Sequence, residues 1–100
     1  MHAHFKDLPD ESRVWIYQAN RPFTNDELNE LKPQMDNFLE QWTAHGKDLF
    51  SGVEYPYNRF IVIGLDQSKA GATGCSIDSS VRFIQSIEKA FLIDLMDKMN

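Results

Sequence analysis

Residues 59–66, RFIVIGLD, constrain this chain more than any other stretch. Six of the eight are apolar, counting Gly64, and the run is rich in β-branched and aromatic side chains. Such a run reads as a strand whose faces demand cover from the rest of the chain. It is far too short to cross a membrane. No run in the 100 residues approaches the roughly 18 consecutive apolar residues of a span.

A second strand is expected at 13–19, RVWIYQA, with Val14, Ile16 and Gln18 on one side and Arg13, Trp15 and Tyr17 on the other. Both faces are largely apolar, which suits a central strand or one covered on both sides. Between the two strands lies the best helix signal. Thr24 is placed as an N-cap, Glu27 closes a capping box, and Phe23 with Leu28 forms a hydrophobic staple. Leu28, Leu31, Met35, Phe38, Leu39 and Trp42 then recur at helical spacing as one apolar stripe. Pro33 cannot donate to Asn29, so a kink or restart is expected near Lys32. The helix should end by His45-Gly46, with Gly46 left-handed.

Residues 49–55 read as the partner of 59–66 in a hairpin through Pro56, Tyr57 and Asn58. Tyr55 and Tyr57 are expected at the surface there, and Arg59 is expected to pair with Glu54. After the loop QSKAGATG a second helix should begin between Ser76 and Asp78 and bury Val81, Ile84, Ile87, Phe91 and Leu95. Residues 1–12 are polar, turn at Pro9-Asp10, and read as a flexible arm.

This β-α-β-β-α order predicts one α+β domain: a two-layer sandwich with two helices on one face of a small, mostly antiparallel sheet. A fourth strand would complete a ferredoxin-like, split βαβ arrangement. The chain reaches Asn100 where that strand is due, so an incomplete version is expected.

Charge and composition narrow the partners. The formal charge is -5, and residues 24–54 carry all of it, with seven acids against Lys32 and Lys47. The remainder balances, so attraction to nucleic acid or anionic lipid has no support. A single cysteine, Cys75, excludes an internal disulfide and a multi-cysteine zinc site. The N-terminal MHAHFKDLPDES lacks the apolar core of a secretory signal, which points to the cytoplasm. His2 and His4 share a side only in an extended arm, and no metal-ligand spacing or cofactor motif appears.

Three blocks carry a family resemblance: SRVWIYQANRPFT at 12–24, FLEQWTAHG at 38–46, and YNRFIVIGLDQS followed by GCSIDSSVRFIQSIEK at 57–89. Through them the chain resembles, from Arg13 to Met99, a family of small uncharacterised proteins of Bacteroidetes-type bacteria. Members often carry the label "ABC transporter ATPase". The resemblance implies no catalytic residue. It also implies that a C-terminal portion of the family's usual length is absent. The label conflicts with the residues present. A phosphate-binding loop needs G-x-x-x-x-G-K and a hydroxyl residue, whereas Gly71 and Gly74 stand too close and no lysine follows Gly74.

Candidate chemistry concentrates at 71–80, GATGCSIDSS, where a strand end leads into a helix start. Helix amides with Gly74, Ser76, Asp78 and Ser79 would suit an anion or small ligand. A thiol in a first helical turn gains thiolate character, so Cys75 with His45 as base and Asp66 as orienting group forms a weak catalytic candidate. The structural alternative makes Ser76 or Asp78 an N-cap and Cys75 a small buried hydrophobe. We expect the buried cysteine, and binding rather than enzyme activity. The preferred expectation is protein interaction or self-association, through a sheet edge or the apolar tail of Phe91, Leu92, Ile93, Leu95, Met96 and Met99.

Overall fold

A computed structural model of the chain describes residues 2–44, 46–68, 70–95 and 97–98. Two antiparallel strands form its spine: β1 (Arg13–Gln18) pairs along its whole length with β5 (Phe60–Leu65). The hairpin expected with 49–55 forms as β4 (Ser51–Glu54) on the other side of β5, joined through a short turn at Pro56–Asn58. A two-residue β6 (Asp97–Lys98) pairs antiparallel with β1 at Tyr17 and Gln18. The order β4-β5-β1-β6 is that of a split βαβ sheet. The fourth strand, expected to be missing, is therefore present as two residues.

Helix α1 (Asn25–Gln41) begins as the sequence predicts. Thr24 accepts from the Glu27 N–H, and the Glu27 side chain accepts from the Thr24 N–H. The helix runs on through Pro33, where a kink or restart was expected. Leu31 and Met35, both fully buried, anchor it on either side of the exposed proline, and Gln34 donates its side-chain amide to the Glu30 carbonyl at 3.1 Å. It stops at Gln41, sooner than expected, because residues 43–48 form a small ladder of β2 (Thr43–Ala44) and β3 (Lys47–Asp48). Gly46 is left-handed as expected, at φ 78°, but it serves the link between those strands and not the helix end.

Helix α2 (Gly74–Phe91) starts before the expected position. Both helices lie on one face of the sheet. Leu28, Leu31, Met35 and Leu39 of α1 and Ile84 and Ile87 of α2 are buried with Tyr17, Ile61, Ile63 and Leu65 from the strands. An aromatic cluster joins the layers: Phe38 stacks on Phe83 with centroids 4.6 Å apart, and Trp42 meets Trp15 edge-on at 5.9 Å. Trp42 is 3% exposed and donates its indole N–H to the Ser76 carbonyl at 2.9 Å, which fastens the end of α1 to the start of α2. The Cα radius of gyration, 12.9 Å, is that of a compact domain of this length. Among the described residues no helix is long and apolar enough to cross a membrane.

At the opposite end, Arg21 ties the β1–α1 loop to both helices. Its Nη1 and Nη2 donate to the two oxygens of Glu27, each at 2.7 Å, and Nη2 also donates to the Phe91 carbonyl. The Arg21 hydrogen bonds and the Thr24 amide together lower the Glu27 carboxyl from 4.5 to about 2. A carboxylate lowered by folding stabilises the fold above its unfolded value, and that contribution fades as pH falls through the folded one. Acid unfolding should therefore steepen from about pH 4.5 down to about pH 2. Glu27→Gln should flatten that limb in a circular-dichroism titration; a variant curve parallel to wild type contradicts the assignment.

Candidate functional site

The α2 N-terminus is built as a cap. Thr73, not Ser76 or Asp78, is the N-cap: its Oγ1 accepts from the Ser76 N–H, while Ser76 Oγ accepts from the Thr73 N–H at 2.7 Å. Serine here takes the place that Glu or Gln usually holds in such a box, which hid the boundary in the sequence. Ser76 Oγ also donates to the Thr73 carbonyl, and Ser79 Oγ donates to the Ser76 carbonyl at 2.8 Å. Two of the hydroxyls offered for an anion are thus engaged locally. Asp78 is exposed. Gly74 has no positive φ, and a methyl group on its Cα would meet nothing within 4 Å, so neither turn nor close approach requires glycine there.

Cys75 is exposed, which corrects the expectation of burial. The buried stripe of α2 runs through Ser76, Ser80, Ile84 and Ile87, and a residue beside Ser76 is rotated about 100° away from it. Among the described residues the thiol has no hydrogen-bond or ion-pair partner. Asp66 is buried at the end of β5, where Oδ1 accepts from the Ser68 N–H at 2.9 Å and the Ser68 hydroxyl at 2.6 Å. This is a turn that stops the strand. His45 lies outside the described residues.

The less expected feature is the other face of the sheet. Register places Val14, Gly64 and Gly52 in one row across β1, β5 and β4, and Ile16, Val62 and Glu54 in the next. Residues 2–8, anticipated as part of an arm, pass around the β4 edge and bring Phe5 and Leu8 against this face. Ala3 donates its N–H to the Ser51 carbonyl at 2.7 Å beyond β4, and His2 lies 3.4 Å from Asp36 of α1. A methyl group on Gly52 would stand 2.8 Å from the Phe5 backbone, so this strand position admits only glycine while Phe5 is seated. Glycine inside a strand marks such close approaches, and that signal was legible at Gly52 and Gly64.

Beside Phe5 and Leu8 remains a recess of about 370 Å³, bordered by Ser12, Val14, Glu54 and Gly64. Arg59 does not reach Glu54 as expected; it donates Nε to the Ala19 carbonyl at 3.1 Å, since register sets Val62 and not Arg59 opposite Glu54. Farther along the face, Ile16, Val62 and Phe60 are half-buried and Tyr57 is 89% exposed, its ring edge-on to Phe60. Tyr55, expected at the surface with Tyr57, instead buries its hydroxyl, and burial together with the Asp36 charge raises its pKa. Of the described residues of the apolar tail, Ile93 and Leu95 are buried, Phe91 is half-buried and Leu92 is exposed; Met96 and Met99 lie outside the described residues.

Comparison with protein-family models, with curated proteins and with solved structures finds no match in any of the three.

Two checks follow from this geometry. Iodoacetamide should label Cys75 in the folded protein within about threefold of the unfolded rate at equal pH; protection that ends only on unfolding contradicts the exposed position. Gly52→Ala should destabilise by about 1–3 kcal/mol through overpacking, whereas Gly74→Ala should be neutral or stabilise by about 0.4–1 kcal/mol. Equal effects in thermal melts would contradict the assigned surroundings.

Proposed function

We propose that this domain is a self-associating binding module and not an enzyme, and that it pairs with a second copy through the open face of its sheet. The observation that carries the reading is the apolar strip of Ile16, Val62, Phe60 and Tyr57 on the face away from both helices. Sheets with one apolar face left open pack well against another sheet, with about 10 Å between them. The interaction expected of this chain thus moves from a strand edge or the tail to the sheet face.

Charge favours a second copy as occupant. The acids of residues 24–54 sit mostly on α1, behind the sheet, while Glu54 is the one acid in the rows that cross β1, β5 and β4 on the outer face. Face-to-face pairing holds the two acidic helix layers roughly 25–30 Å apart, about three Debye lengths at physiological salt. The copies meet on nearly uncharged surface despite a charge of -5 each.

Sedimentation velocity across the micromolar range should show a reversible dimer. Val62→Lys should weaken it by about 100-fold or more, because a lysine would be buried between copies. Glu54, opposite position 62 in the ladder, gives that lysine a partner within one protomer and preserves the fold. A wild type monomeric throughout, or a Val62→Lys dimer as tight as wild type, refutes the proposal.

A further inference from the structure

The outer face of the sheet carries a projection at one end and a recess at the other. The projection is Tyr57. It is 89% exposed, and its backbone is left-handed at φ 57°. Glycine and asparagine take that conformation readily in a hairpin turn, whereas a bulky aromatic residue takes it at a cost. Among the described residues the Tyr57 ring meets just one other ring, the edge of Phe60 with centroids 6.4 Å apart. Packing within the chain therefore does not explain an aromatic residue at this position. Strained positions of this kind concentrate at functional sites. The recess, about 370 Å³, has apolar walls of Phe5, Leu8 and Val14. Val14 is 45% exposed within it, while Lys6 and Asp10 stand at its rim in water.

We infer that Tyr57 of each copy seats its ring in the recess of the other, making two identical knob-in-hole contacts about a two-fold axis at the Ile16–Val62 row. Resting on the face-to-face pairing proposed above, this arrangement fixes its orientation and names its anchor. The ladder supplies the symmetry. From Phe60 to Gly64 is four residues, about 13 Å of strand, and Val62 lies midway opposite Ile16. An axis crossing the strands at that row reverses their direction between copies. It lays the Tyr57 end of each copy over the Gly64 end of the other, as an isologous contact requires. An axis running along the strands would instead set Tyr57 against Tyr57 and recess against recess, filling neither. A tyrosine suits the recess because its ring is apolar and its hydroxyl can remain in water at the mouth. The charged rim and apolar floor also match the anatomy of a protein contact.

Sedimentation velocity and isotope-filtered nuclear Overhauser measurements on the intact chain test this contact. In a mixture of labelled and unlabelled wild type, the Tyr57 ring should give intermolecular cross-peaks to the methyl groups of Val14 and Leu8. Tyr57→Gly should weaken the dimer at least about tenfold. The same variant should keep or raise the melting temperature at a concentration where the chain is monomeric, because glycine takes the left-handed backbone without strain. Val14→Phe should fill the recess and weaken the dimer by a similar factor. With the recess filled, Tyr57→Gly should add less than about threefold, whereas independent sites would multiply. Cross-peaks from Tyr57 to Tyr57 or Phe60 of the second copy, a Tyr57→Gly dimer as tight as wild type, or multiplied losses in the double variant would each overturn the contact. Those results leave the pairing itself standing if Val62→Lys still breaks the dimer. A wild type monomeric throughout removes the pairing and the contact together.

Discussion

The register of β1 on β5 governs the rest of the molecule. Six consecutive pairs, from Arg13 with Leu65 to Gln18 with Phe60, decide which side chains enter the helix layer. Because side chains alternate, a one-residue slip of β5 against β1 would send Ile61, Ile63 and Leu65 outward and Phe60, Val62 and Gly64 inward. The helices could not then bury their stripes against the same surface. The correct register has a second consequence on the far side. It sets Val14 opposite Gly64, and the β4–β5 ladder adds Gly52 to the same row, leaving a trough into which Phe5 and Leu8 settle.

The two faces consequently have different tasks. The helix face is closed by aliphatic packing, the Phe38–Phe83 stack and the Trp42 bond to Ser76. Its polar ends are capped, and the serines of α2 are drawn into that closure. Most of the acidic charge of 24–54 rides on α1, so it too stays behind the sheet. The outer face is left nearly neutral, with an apolar strip at one end and a polar-rimmed recess at the other. One constraint, the ladder register, therefore separates a face closed by helices from a face left open.

Local signals were legible where a short stretch decides its own structure. The Thr24–Glu27 box, the apolar stripe of α1 and the turn at Pro56–Asn58 all depend on residues within one or two turns of each other. The α+β class followed because each of those elements has one face to bury. What escaped depends on residues brought together from afar. Nothing near Gly52 reveals that Phe5 will lie on it, and nothing near Arg59 reveals that Ala19 offers its carbonyl. The early start of α2 was missed for a different reason, since a serine at the third helical position is a weak cue for a reciprocal cap. β6 is too short to announce itself, and it is recognised only by its pairing with Tyr17 and Gln18. Loop 71–80 drew attention because its glycines, hydroxyls and thiol cluster in sequence, yet packing engages Ser76 and Ser79 in the helix start and turns Cys75 to solvent.

The central claim is that the sheet's helix-free face is the working surface. Isotope-filtered nuclear Overhauser measurements on a mixture of labelled and unlabelled chains test it most directly. The account predicts intermolecular cross-peaks linking the methyl groups of Ile16 and Val62 with the ring of Phe60 in the second copy. Intermolecular contacts arising from the exposed side of α1 instead, or none at concentrations where the chain associates, would contradict it.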